Sequence, residues 1–260
     1  MNRILRTLAV ARVAACMACG VWLLATNASA RADDEAKKVV EAAVKAHGGA
    51  DKLAKVKDKA VTQKGKMKLF MPIEAEGNFE MTASGGKFRR QFDFSFMGMD
   101  FKNTTVFDGK TLWVSTNGML MSFDKKDDID ALKEMLHSEK AAGLAMLGDK
   151  NLELSLIGDD KVGDTPVVGV RVSEKGHKDV SLFFDKKTHL LKKIVGRSLD
   201  FQSHMEIEQE RIVEEYKDFD GLKRPSKLTV TKDGKKQLEI EITEMKYIDK
   251  PDDSTFGKPD

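Results

Sequence analysis

The chain has 260 residues, 41% hydrophobic and 33% charged, with 44 Lys and Arg against 42 Asp and Glu. Such a composition is globular, neither disordered nor fibrous, and the length suffices for a single domain with a large core. Arg3, Arg6 and Arg12 face no acid in the first 30 residues; beyond them 41 basic residues meet 42 acidic ones, a net charge of −1 that excludes the electrostatic footprint of a nucleic-acid partner.

Those first residues read as an export signal. A basic start leads to the apolar run Val13–Ala25 and then to Ala28-Ser29-Ala30, a small-x-small cleavage site, with a second possible cut after Ala32. The apolar run is too short to span a bilayer, which needs about 20 residues. Both cysteines, Cys16 and Cys19, lie inside it, so residues 31–260 are expected to form one domain without disulfides or thiolate metal ligands. The alternative is lipidation: Val13-Ala14-Ala15-Cys16 also fits a lipoprotein cleavage box, which would anchor the protein through Cys16.

From Asp33 to His47 an apolar stripe of Ala36, Val39, Val40, Ala43 and Val44 recurs at helical spacing, and Gly48-Gly49 supplies the stop. A short second helical turn is expected over Ala50–Val56. The period then falls from 3.6 to 2. Between Val61 and Phe123 apolar and polar residues alternate, and Gly85-Gly86, Asp108-Gly109 and Asn117-Gly118 each separate two such runs. This pattern predicts antiparallel hairpins on a sheet with one apolar and one wet face. Asp127–Leu147 returns to helical spacing, with Ile129, Leu132, Leu136 and Leu147 near one face. Strands resume from Leu152 and run to Ile248. The total is about twelve strands, with one helix ahead of them and one inserted among them.

Catalytic chemistry is not visible. The five histidines, His47, His137, His177, His189 and His204, have no metal-ligand spacing, and there is no nucleophile elbow and no phosphate-cradling glycine loop. No enzyme activity, cofactor or metal is expected. What stands out is soft apolar bulk, since Met is flexible and suits surfaces that accept ligands of variable shape. Phe79, Met81, Phe92, Phe94, Phe96, Met99, Trp113, Met119 and Met121 are therefore candidate linings of a hydrophobic site.

Phe107-Asp108-Gly109-Lys110-Thr111-Leu112-Trp113-Val114 resembles the strand pair marked by Asp-Gly-Lys-Thr-Leu-Trp in the LolA-like family of lipoprotein carriers. Leu182–Thr188, the Tyr216–Pro225 passage and Asp253-Ser254-Thr255-Phe256 are similar to later parts of that family. The resemblance implies a strongly curved antiparallel sheet forming an incomplete barrel of about eleven strands, with helices over its concave face. It also implies a non-enzymatic periplasmic carrier of acylated lipoproteins or other lipids, with loading and receiving partners in the two membranes. An envelope sensor or peptide-binding module on the same fold is the alternative. The inserted helix would be a lid on Phe92, Phe94 and Phe96. One departure is plain: the family's lid-locking Arg-Pro pair is missing at Ser84–Lys87.

Overall fold

A computed structural model describes residues 33–70, 74–149, 151–200 and 205–259. Residues 1–32, where the export signal and Cys16 are expected to act, lie outside them, as does His204. Two helices come first, α1 (33–46) and α2 (Ala50–Val56). Six strands follow: β1 (Ala60–Leu69), β2 (Ala75–Ser84), β3 (Lys87–Phe96), β4 (Met99–Phe107), β5 (Leu112–Thr116) and β6 (Met119–Phe123). Helix α3 (Lys126–Ala142) then leads to β7 (Leu152–Val162), β8 (Thr165–Glu174), β9 (Val180–Asp185) and β10 (Leu191–Leu199). The chain ends with β11 (Glu206–Phe219), β12 (Leu222–Lys232), β13 (Lys235–Ile248) and a 3₁₀ turn, Asp253–Phe256.

The thirteen strands, one or two more than expected, form one antiparallel sheet in the order β6-β5-β4-β3-β2-β1-β13-β12-β11-β10-β9-β8-β7. The sheet is thus two meanders joined where β1 pairs with β13, Ala60 facing Ile248 and Leu69 facing Leu238. It does not close; β6 and β7 are its edges, and α3 is the crossover between them. The hairpin turns are those the sequence marks. Asn117 and Gly118 take φ of 49° and 83°, the left-handed pair that matches the twist of two adjoining strands.

Helices fill one half of the trough. Ala36, Val40 and Ala43 of α1 and Leu53 of α2 join Val170, Val172, Leu182, Phe184, Ile194 and Val213 in the largest buried cluster. The inserted helix is shorter than the sequence pattern predicts. Gly143 caps it and Leu144 has φ of 65°, so Leu147 lies beyond the helix, buried in this same cluster. Arg224 on β12 donates from Nη1 to the Gly143 carbonyl at 3.0 Å, satisfying an orphan acceptor and opposing the negative helix end. Close approach is possible at Gly196 of β10, where a Cβ would stand 2.9 Å from the Ser138 hydroxyl.

Candidate functional site

Cross-strand register sorts every side chain of the first meander onto one face or the other. Phe88 stands opposite Phe107, and Phe107 opposite Leu112, and all three pack with Ile129 and Leu132 of α3. Their face is therefore the inner one. Along the same parity lie Phe79, Met81, Phe92, Phe94, Phe96, Met99, Met119 and Met121, so eight of the nine candidate lining residues share the concave face.

Trp113 does not. It pairs with Val106 and Ser122, while its neighbours Leu112 and Val114 point inward. The indole is on the convex face. Apolar residues sit on both parities here because both faces are covered: Val106 and Phe107 are 0% and 1% exposed, and the C-terminal 3₁₀ turn packs on neighbouring β3. A run of consecutive apolar residues loses the alternation that tells in from out.

The position of α3 also differs from the expectation. Ile129 and Leu132 are buried and Leu136 partly buried against Phe88, Phe107 and Leu112, not against Phe92, Phe94 and Phe96. The reason is the short connection. Phe123 ends β6 beside Leu112, and only Asp124 and Lys125 precede the helix, so its first turns must pack at that end. Phe96 is eight residues away along β3, about 26 Å at strand rise.

The inner face therefore has three zones. At the helix end it is sealed. In the middle, Met67, Phe79, Phe92, Ile242 and Met245 form a buried floor, with Met81 and Phe94 against it. It is open at the far strand end, where Met99 is 57% exposed, and along the edge strand β6, where Met119 and Met121, level with Phe92 and Arg90, are 74% and 50% exposed. Phe92 and Phe94 stack at 4.9 Å, and Phe94 and Phe101 at 5.2 Å, forming a ladder that leads from the floor to this methionine rim. An open groove of about 490 Å³ at the same strand ends lies mainly on the opposite, convex face, since Glu76, Asn78, Asp93, Ser95, Asp100 and Lys102 in its lining have the outward parity. Gly77 helps shape it, since a Cβ there would fall 2.0 Å from the Asp93 carbonyl oxygen.

One charge stands on this face. From Leu238 on β13 across to Phe123 on β6, the register puts a single Lys, Arg, Asp or Glu inward: Arg90, opposite Met81 and Thr105. Among the described residues it has neither a hydrogen bond nor an ion pair, and its Nε is buried without a partner. Burial holds its pKa below the usual arginine value. A half-buried guanidinium with a buried, unpartnered Nε and no counter-ion beside it is a ready-made receptor for an anion. The sequence carries a signal for it, because Arg90 shares the parity of Phe88, Phe92, Phe94 and Phe96.

A second cluster arises only through folding. His137 of α3, Glu174 at the end of β8 and His177 in the following turn bring one ligand-type atom each within 4.8 Å of one another. Glu174 and His177 are three residues apart, but His137 lies 37 residues before Glu174, so the group of three comes together only on folding.

No protein-family model matches the chain, and no curated protein matches it. Among solved structures, a DUF1329 family protein from Desulfovibrio piger superposes with a TM-score of 0.53 at 11% identity, covering 85% of this chain and 96% of that one. A LolA superfamily protein from Nitrosomonas europaea gives 0.49 at 12% identity, over 79% and 94% of the two chains. An outer membrane lipoprotein-sorting protein domain from Vibrio parahaemolyticus gives 0.47 at 10%, over 80% and 94%. At such identity the first likeness is one of fold alone.

Proposed function

We propose that the protein is a non-enzymatic periplasmic carrier that holds the acyl chains of a lipoprotein or another lipid-like molecule on the open end of its concave face. The observation that carries this reading is the Phe92–Phe94–Phe101 ladder running out to exposed Met99, Met119 and Met121, with unpaired Arg90 set among these apolar side chains. An acyl chain laid there loses water contact at about 0.8 kcal/mol per buried CH₂, and thioether side chains adapt to its shape. The guanidinium suits the acidic head of an amphiphile. No lid has to move, because α3 leaves this end uncovered. The cargo is then an anionic amphiphile, with acylated lipoproteins as one member of the class and membrane proteins as donor and acceptor.

Native mass spectrometry of protein purified from its own envelope, before and after mild delipidation, tests the reading. Co-purifying acylated species support it. Bound peptide would assign the sensor alternative instead, and a chain that carries nothing and binds no added fatty acid would refute both. As a site control, Met121→Glu should lower fatty-acid affinity at least tenfold with little change in melting temperature, because Met121 is exposed on an edge strand.

A further inference from the structure

We propose that His137, Glu174 and His177 form a binding site for a divalent transition-metal ion of the zinc type, which clips α3 to the β8–β9 hairpin. The site lies away from the methionine rim and stands or falls independently of the carrier reading.

The donor set fits such an ion. Two imidazoles and a carboxylate are the ligands that borderline divalent metals take, with a fourth position left to water. In a tetrahedral zinc site two nitrogen or oxygen donors lie about 3.4 Å apart. Nδ1 of His137 is already 3.4 Å from Oε2 of Glu174. His137 is otherwise hard to explain. Its side chain is 3% exposed, its Nε2 is buried with no hydrogen-bond partner, and Glu174 is too distant for a good bond to Nδ1. An ion on the Nδ1 lone pair would occupy the side of the ring that faces Glu174, while Nε2 keeps its proton.

The surroundings prepare His177 for the same role. Its Nδ1 sits 3.1 Å from Oε1 of Glu134, while Oε2 of Glu134 accepts the Lys178 N–H at 2.8 Å. A carboxylate on one ring nitrogen fixes the tautomer and leaves Nε2 with the lone pair, as in metal sites whose histidines are oriented by an outer carboxylate. The two rings are stacked, 4.1 Å apart and 8° from parallel, so a shared ion requires His177 to turn out of the stack. His177 is on an exposed turn and can do so, whereas His137 is fixed in the helix packing. With Glu134 and Glu174 both present, the pocket has the negative charge that a dication needs.

The test uses chelator-treated protein lacking only the export segment. It is titrated with zinc by calorimetry and with cobalt(II) by visible absorption, which reports ligand geometry. One equivalent should bind, with a tetrahedral-type cobalt spectrum and slowed hydrogen exchange over 134–141. His177→Ala and Glu174→Gln, at partly exposed positions, should each weaken binding at least tenfold while the metal-free melting temperature stays within about 2 °C. His137→Ala is left as a third variant, since it also opens a gap in the packing. Absence of binding would overturn the proposal, and so would binding that survives either of the first two substitutions.

Discussion

Arg90 is a half-buried and His47 a fully buried basic side chain, and their environments set them opposite tasks. Among the described residues nothing neutralises Arg90, so its partial burial lowers stability unless an anion arrives. Arg90→Met, close in volume and without charge, should leave the melting temperature unchanged or raise it, because an unpaired buried charge is removed. The same change should weaken binding of a fatty acid tenfold or more and leave a fatty alcohol of equal length almost unaffected, as read by displacement of a fluorescent fatty acid. Equal losses for acid and alcohol would mean that the guanidinium is mere packing. His47 is satisfied only when neutral. Nδ1 donates to the Ala43 carbonyl at 2.7 Å and the Leu191 N–H points at Nε2 from 3.5 Å, so a second proton would meet only the Tyr216 hydroxyl oxygen, 3.4 Å away. Burial, with the Arg224 and Lys223 charges, lowers its pKa from 6.5 to about 4. The unfolded chain therefore binds the proton first as pH falls. Stability should be complete above pH 7 and decline between roughly 6.5 and 4, by about 3 kcal/mol in all from this residue, with His137 adding in the same direction. Urea unfolding at pH 7, 5.5 and 4.5 measures it, and His47→Gln should flatten the decline. The inward parity of Arg90 is legible in the sequence, but the burial and partners that decide both roles belong to the folded chain.

Periodicity is legible because an element repeats it over many residues. The alternation through β1–β6 and the glycine-marked turns place strands and hairpins correctly, down to Trp113 in a strand paired through Asn117-Gly118 with Met119–Phe123. The inner parity follows from the same pattern wherever polar residues intervene, and fails at Leu112-Trp113-Val114, where none do. The face of α3 is equally clear, but not its landing place, which depends on a two-residue connection and on a neighbour nine strands away in the sheet. Arg211 of β11, itself buried, holds Ser138 and pairs with Glu139, and Arg224 holds Gly143, so α3 is tied to the second meander while it packs on the first. These ties favour a fixed cover over a gate. Leu132 is 2% exposed, and Leu132→Ala should cost about 2–5 kcal/mol. Leu132→Glu should cost more, with no increase in fatty-acid binding, since the receiving end is already open. A rise in binding without loss of stability would restore a moving lid.

The trough as a whole is asymmetric: three helices occupy one half and one end, and the remaining quarter presents Phe, Met and a single cation to solvent. A protein that merely needed a dry core would extend α3 or the C-terminal turn over that quarter, because leaving three methionines at 50–74% exposure on one edge invites association. The arrangement makes physical sense if an amphiphile supplies the missing cover, and that occupant must then stabilise the fold by mass action. A ligand at a hundred times its dissociation constant adds about 2.7 kcal/mol, and for a domain of this size each kcal/mol raises the melting temperature by about 2–4 °C. Saturating fatty acid below its micelle concentration should therefore raise the midpoint by roughly 5–10 °C. The shift should grow with chain length until the ladder from Phe92 to the rim is filled, and then level off, because further CH₂ groups would stay in water. A plateau fixes the length of the trough independently of any mutation. An alcohol of the same length should give a smaller shift than the acid in the native protein and the same shift in Arg90→Met, and an amphiphile series that lowers the midpoint, as a detergent does to a closed core, would exclude the concave face as its binding site.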